Sequence, residues 1–295
     1  MKSIEFAEGN ELYSIGKKSF YSTSIESISI PKSVVKIGKG SFCGCMKLKS
    51  VHIPNNSMFC SIESQVFEST LIEEIFIPKN VTSIDKKAFF MCKSLKSVNF
   101  EPNSKLRIVG ELSFSRTSIK DICFPSSVIE IGSGALSSCY SLKTVDFERN
   151  SELNTIRENA FFCSKLVSIK IPPSIKIIEN NAFFQCKFLE SLEIDENSEI
   201  KTFENRIFAE TNLKSISIPA NVVELNYEWC WAIQHLVNIS VSKKNKNFVF
   251  YQDNFLLGKL DPKSEIYDVL LFVRRDIEHA IIPSFIKKIS CYAFS

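Results

Sequence analysis

The sequence predicts a repeat solenoid, one chain wound into stacked coils that each begin with a short β-strand. Three observations carry this. A strand-like phrase recurs along the chain: "SISIPKSVVKIG" at 27–38 returns as "SISIPANVVELN" at 215–226. Apolar residues fall in the same columns of every repeat. The aromatic content is lopsided, with 25 Phe against 7 Tyr and 2 Trp, as if one structural position were filled with Phe over and over.

The strand opens each coil. The last apolar residue of its phrase is Phe6, Ile30, Ile53, Ile77, Phe100, Phe124, Phe147, Ile171, Ile194, Ile218, Val241 and Ile282. As far as Val241 the spacing alternates between 24 and 23, so two kinds of coil alternate with a full period of 47. Two positions earlier stands another apolar residue, from Ile4, Ile28 and Val51 through to Ile239 and Ala280. Five positions earlier stand Leu48, Ile72, Leu95, Ile119, Leu142 and Leu166, a column that begins at Met1. Strand side chains alternate between faces, so these columns point inward and the residues between them face solvent.

The turn after the strand comes in two lengths. In "IPxxVxxI" coils the next apolar pair is Val34 and Ile37, Val81 and Ile84, or Val128 and Ile131. In "FExNSxLxxI" coils it is Leu106 and Val109, or Leu153 and Ile156, reached two residues later. Five residues past each pair comes the Phe column: Phe20, Phe42, Phe67, Phe89, Phe114, Phe161, Phe183, Phe208 and Phe294, broken only by Leu136 and Cys230. It predicts a stacked aromatic spine. In "AFFMCKSL", Ala88, Cys92 and Leu95 are spaced by four and three, which predicts one or two helical turns on the side opposite the strands. No single coil can bury its own apolar face, so the coils stand only by stacking.

These columns resemble the BspA-like leucine-rich repeats, best in "IPKNVTSIDKKAFFMCKSLKSVNF" (77–100) and "IPKSVVKIGKGSFCGCMKLKSVHI" (30–53). The alternating "FExNSxL" coils resemble the protozoan branch of that family, whose members are bacterial and protozoan surface proteins. The resemblance covers nearly the whole chain. It implies a right-handed leucine-rich-repeat superhelix, a parallel sheet on the concave side and short helical turns on the convex side. It also implies adhesion or protein binding rather than catalysis.

The regular solenoid is expected over 1–241. From Val241 to Ile282 there are 41 residues where 24 were due, so 17 are inserted. The inserted region, 242–275, holds "KNFVFYQDNFLLGK" and "IYDVLLFVRR" around the turn signal "LDPKS", which predicts a β-hairpin projecting from the rod or folding over it. A final, incomplete repeat follows at 276–295, ending at Ser295. The coil before the insertion is also irregular, since Cys230 takes the Phe place and both Trp of the chain, Trp229 and Trp231, flank it. Specificity in a repeat protein is expected where the pattern breaks. Trp229, Trp231, Phe248, Phe250, Tyr251, Phe255, Arg274 and Arg275 are therefore the first candidates for partner contact, because aromatics and Arg dominate interface energetics. The competing reading has these aromatics packed inward as a seal, with binding along the concave strand positions instead.

Those strand positions form two outward rows. The row three before the origin is Ser3, Ser27, Ser50, Ser97, Thr144, Ser168, Ser191 and Ser215, with Glu74 and Asp121 as exceptions. Hydrogen bonding along the sheet is the expected role of this hydroxyl ladder. The row one before the origin varies freely, as a binding face would, and supplies His52, Phe76, Asn99, Asp146, Lys170 and Glu193 as concave-face candidates.

Catalytic chemistry finds no purchase. The three His sit in different coils without repeating Cys, Asp or Glu partners, and His52 and His279 fall on outward strand positions. No serine elbow or phosphate loop is present, and carboxylates such as Glu101 and Glu148 read as solvated turn residues. "CGC" at 43–45 lacks a second pair at zinc spacing. Cys45, Cys92, Cys139 and Cys186 recur at the 47-residue period. Coils two apart lie about 9–10 Å from each other, beyond the ~7 Å limit for a disulfide, so these Cys are expected to be small buried corner fillers. Cys163, in the coil between those of Cys139 and Cys186, is the one with a bridging option. Three glycosylation sequons occur, at Asn55-Asn56-Ser57, Asn80-Val81-Thr82 and Asn238-Ile239-Ser240.

A net charge of +3 gives no field that argues for nucleic acid or membrane. No apolar run approaches the ~20 residues of a membrane span. The N-terminus "MKSIEFAEGN" has no apolar signal core, which places the chain in the cytoplasm, whereas the family resemblance places it on the cell surface. The reading is a non-catalytic protein-interaction module without cofactor or metal, of adhesion type. Its partners are other proteins, extracellular or host proteins among them, and both uncapped ends offer end-to-end self-association. An intracellular scaffold of the same fold is the alternative, and an enzyme a remote third.

Overall fold

The computed structural model describes residues 2–55, 57–226 and 228–294, so Met1, Asn56 and Ser295, with the column, sequon and chain-end readings that rest on them, lie outside the described residues. The chain winds into a β-solenoid of about 12 coils. The strand phrases pair in parallel with the strands of the coils before and after. Ser27–Ser29 pairs with Ser50–His52, and Glu74–Ile77 with Ser97–Phe100. Asp121–Phe124, Thr144–Phe147, Ser168–Ile171 and Ser191–Ile194 form one run, and Ser215–Ile218 pairs with Asn238–Val241. Register follows the repeat, with Ile122 opposite Val145 and Ile169 opposite Leu192. The residues two before the origin are buried from Ile28 through Ile239, as the period-two reading requires.

A second ladder is built from two-residue strands at the apolar pair after each turn. Ser61–Ile62, Ser83–Ile84, Ile108–Val109, Glu130–Ile131, Thr155–Ile156 and Ile177–Ile178 form its longest run. Between Val109 and the next turn the backbones come close: a Cβ on Gly132 would stand 2.8 Å from the Val109 carbonyl oxygen and 2.8 Å from the Gly110 carbonyl carbon.

Among the described residues the helical turns expected on the third side are absent; those residues are turns. The reason lies in where the N–H groups point. Lys87, Phe89 and Met91 donate to Glu111, Ser113 and Ser115 of the next coil at 2.8, 2.8 and 3.0 Å. Ala88, Phe90 and Cys92 donate three residues back within their own coil. A helix would use every donor within the segment; here alternate donors hold the coils together. The arrangement needs left-handed backbone on both sides of the spine residue, at Lys87 (φ 58°) and Met91 (φ 60°) around Phe89. The same pair recurs as Gln65 and Ser69, Asn159 and Cys163, and Asn181 and Gln185, while one coil meets the demand with Gly40 and Gly44. Left-handed backbone is unfavourable for residues with a Cβ, and the inter-coil hydrogen bonds offset it.

The spine itself is continuous from Phe20 to Phe114, with ring centroids 5.1–5.5 Å apart and nearly parallel planes. Leu136 interrupts it, Phe161, Phe183 and Phe208 resume it, and Phe294 at the far end is exposed rather than stacked. The strand phrases of the outermost coils, at 4–6 and 280–282, form no strand.

The inserted region contributes three strands. Val249–Tyr251 and Phe255–Gly258 pair antiparallel around left-handed Gln252 and Asp253, a turn unmarked by Gly or Pro. Val269–Val273 pairs antiparallel with the second of these and parallel with Lys288–Ile289 of the last coil. One face, with Phe248, Leu256 and Phe272, closes the main core. Phe255, Leu257, Leu270 and Val273 of the other face make a second, smaller core with Ala293. Among the described residues no helix is long and apolar enough to cross a membrane.

Candidate functional site

Two surfaces carry the candidate residues, and the structure treats them differently. At the irregular end Trp229, Phe248 and Phe255 are buried, so their rings offer no surface to a partner. Trp229 lies 6.1 Å from Phe203 of the solenoid and 6.3 Å from Phe272 of the insertion, joining one to the other. Trp231 is half-buried beneath the Arg206 guanidinium and against Tyr292. Phe250 packs on the main core, and Tyr251 meets the Phe285 ring edge-on at 5.5 Å.

The two Arg of this end are also engaged within the protein. Arg274 clasps Asp276 through two hydrogen bonds of 2.6 and 2.8 Å. Arg275 lies 4.4 Å over the Phe272 ring and donates to the carbonyls of Ala293 (2.8 Å) and Tyr292 (3.1 Å). Burial lowers its affinity for the proton relative to an ordinary guanidinium. Asp268, buried, accepts from the Leu260 N–H at 2.9 Å and pairs with Lys287 at 3.2 Å, and these contacts hold its carboxyl below the usual carboxylate range. Arg275 and Asp268 thereby tie the insertion to the last coil.

The outward face of the long-strand sheet is different. His52, Asn99, Asp146, Lys170 and Glu193 are exposed there, with Phe76 half-buried. The parallel register places Phe76 beside Asn99 and Lys170 beside Glu193, whose charged groups meet at 3.6 Å. Among the described residues the expected hydrogen bonding along the hydroxyl ladder forms at one step, between Thr144 and Asp121. Thr144 donates to Asp121 at 2.6 Å, but the hydroxyls of Ser27, Ser50, Ser97, Ser168, Ser191 and Ser215 have no partner among the described residues. Side chains in one row point the same way at a strand spacing of about 4.8 Å, too far for one serine hydroxyl to reach the next. A hollow of about 980 Å³ opens on this face over the first coils, lined by Ser27, Ser29, Ser50, His52, Glu5 and Glu74. A smaller one of about 350 Å³ lies over Asp146, Lys170 and Glu193.

All ten cysteines are free thiols, Cys163 included. The periodic four do more than fill corners. Cys92 Sγ donates to the Phe67 carbonyl at 2.9 Å, and Thr70 donates to the same oxygen at 3.0 Å. Cys139 with Thr117 repeats the arrangement on the Phe114 carbonyl, and Cys186 donates to the Phe161 carbonyl with the Ser164 hydroxyl 3.4 Å from its sulfur. Burial pushes the Cys92 thiol up to about 11 and the Cys186 thiol up to about 12, so neither is a nucleophile near neutral pH. The threonine partners escaped the sequence reading, although Thr23, Thr70, Thr117, Ser164 and Thr211 keep the same 47-residue period.

A further periodic set, Ser33, Asn80, Ser127, Ser174 and Asn221, donates to carbonyls of the preceding coil. Asn80 spends its amide on the Ser57 carbonyl at 3.2 Å, a bond a glycan there would break. Asn238 is exposed on its strand. Glu101 and Glu148, read as solvated, accept the N–H groups of Lys79 and Ser126, both at 2.9 Å, and close the turn of the coil before. Among the described residues no group of three or more His, Cys, Asp or Glu is placed to hold a metal ion.

The sequence matches the family described as BspA type leucine rich repeat region, in six copies over residues 13–143, 107–236 and 200–295. No curated protein matches it. Among solved structures it is similar to a leucine-rich repeat protein from Bacteroides ovatus ATCC 8483, with a TM-score of 0.64 and 22% identity. That likeness covers 79% of this chain and 59% of the other, so the chain spans little more than half of that protein's length. The pneumococcal vaccine antigen PcpA is similar at a TM-score of 0.52 and 21% identity, over 80% of this chain and 69% of that one. At such identities the likeness shows the fold.

Proposed function

The chain belongs to the BspA-type leucine-rich repeat family, and from that premise we propose that it is a non-catalytic protein-interaction module of adhesion type that binds through the outward face of its long-strand sheet. One observation carries the choice of face. The hydroxyls of Ser27, Ser50, Ser97, Ser168, Ser191 and Ser215, and the carboxylates of Glu74 and Asp146, have no hydrogen-bond or ion-pair partner within the described protein, whereas the aromatic and Arg candidates at the irregular end are engaged within the protein. Polar groups already bonded inside the protein contribute little to a complex, while unpartnered groups on a rigid sheet lose little freedom on binding.

Photo-crosslinking residues placed at 99, 146 and 170, and separately at 250 and 274, test this in cells expressing the protein. Adducts from the first set support the reading. Adducts confined to the second set would move the site to the insertion.

An intracellular scaffold is the second reading, favoured by ten unbridged thiols, which suit a reducing compartment. Antibody staining of intact against permeabilised cells separates the two. End-to-end self-association belongs to the same proposal, because Ile281, Phe285, Ile289 and Phe294 leave an apolar face exposed on the last coil. Sedimentation that stays monomeric as concentration rises removes that part.

A further inference from the structure

We infer that the outward face of the long-strand sheet selects a cationic partner, an extended segment with Lys or Arg at alternate positions, lying across the coils from Glu74 to Glu193. This rests on the binding face proposed above and adds the partner's chemistry.

The chain as a whole is positive, at +3. The outward strand positions invert that sign: they hold Glu5, Glu74, Asp121, Asp146 and Glu193 against the single Lys170. Several carboxylates on the short-strand side are matched with cations. On the short-strand side Glu63 faces Lys36, Glu111 faces Lys86, Glu130 and Glu179 share Arg157, Glu152 faces Arg107 and Glu199 faces Lys176. On the long-strand face only Glu193 has such a neighbour, Lys170 at 3.6 Å. Glu5, Glu74, Asp121 and Asp146 have no ion pair among the described residues. Like charges accumulating on one rigid face without neutralisation disfavour the free protein and favour a partner that brings the opposite charge.

Geometry sets the length of that partner. Glu74 and Glu193 stand five coils apart, about 24 Å at the spacing of neighbouring strands, which an extended chain covers in about seven residues. The free serine hydroxyls of the same face accept from Lys or Arg and donate to the segment's own carbonyls. The approach is also directed across the face. The strand-start edge carries Lys49, Lys120 and Lys143, so a cationic segment is held toward the strand ends, where Glu101 and Glu148 lie.

Three seven-residue peptides test this against the full chain, alternating Lys, Gln or Glu with Ser, with fluorescence anisotropy for affinity and hydrogen exchange for location. The Lys peptide is expected to bind and protect residues 74–77, 121–124 and 144–147. Its affinity should fall about ten-fold or more in the Glu74→Gln, Asp121→Asn, Asp146→Asn triple variant, and fall also with added salt. A control triple variant on the other side, Glu111→Gln, Glu152→Gln, Glu199→Gln, should bind as the unaltered protein does; both variants must keep its circular dichroism. If the Gln or Glu peptide binds this face as well as the Lys peptide, the binding face stands and the charge selection is refuted. If the acidic-row variant and the control lose affinity equally, the attraction is only net charge and the inference is again refuted. If no peptide protects the face, the inference and the choice of face fail together.

Discussion

Replacing Phe89 with Ala removes a ring that is fully buried and sandwiched between Phe67 at 5.4 Å and Phe114 at 5.2 Å. Truncating a buried Phe costs about 3–5 kcal/mol. Two stacked neighbours add on the order of 0.5–1.5 kcal/mol each, so a loss of about 4–8 kcal/mol is expected. Phe161 provides an internal comparison, because it stacks on Phe183 at 5.2 Å while its other neighbour in the column is Leu136. Phe161→Ala should therefore cost less than Phe89→Ala by about one aromatic pair, on the order of 0.5–1.5 kcal/mol. Ser97→Ala is the surface control. Its hydroxyl has no partner, so the change should stay within about 0.5 kcal/mol. Urea unfolding followed by far-ultraviolet circular dichroism gives the midpoints. Fluorescence of buried Trp229 reports the far end of the rod and tells whether loss at coil four propagates there. A midpoint for Phe89→Ala no lower than that for Ser97→Ala would refute the spine as the source of stability.

Thiol counting in denaturant without reductant should find ten free thiols, and three or more bridges would overturn the unbridged core; in the native state the exposed Cys60, Cys123 and Cys291 should label first. The buried thiols also link stability to alkaline pH. Their folded pKa lies above the unfolded value of 9.0, at about 11 for Cys92 and about 12 for Cys186. Their contribution is then intact below pH 9 and lost as pH rises toward 11–12, so the urea midpoint should fall across that window, and less steeply in Cys92→Ala. Gly132→Ala should lower stability by about 1–3 kcal/mol, because the new Cβ meets backbone rather than a flexible side chain; an unchanged melting temperature would show that the coils can part there. Arg275→Ala should speed hydrogen exchange in the last coil while leaving residues 74–194 unaffected. Arg275→Lys should not restore protection, since one ammonium cannot reproduce the fork to two carbonyls.

Sequence alone determined the solenoid, its 24/23 alternation, the inward columns and the Phe spine. Each is a matter of periodicity, and a residue buried in one coil is buried in the next by the same contacts. The outward rows were legible for the same reason, because strand side chains alternate. Periodicity would also have exposed the Thr–Cys pairs and the Ser/Asn donors, had the polar columns been followed as the apolar ones were. Other features were decided only in three dimensions. Ala88, Cys92 and Leu95 have helical spacing, yet the coil turns with left-handed residues because alternate N–H groups find carbonyls 21 to 24 residues away, and no local propensity contains that bond. Trp229, Phe248 and Phe255 read as surface anchors by composition and lie inside, because the strands of the insertion pack over the apolar faces of the coils on either side. Which carboxylates stand unpaired depends on what the neighbouring coil places beside them: Glu130 meets Arg157 and Asp146 meets no cation, a difference set by the stacking of coils and not by either residue's own neighbours in sequence.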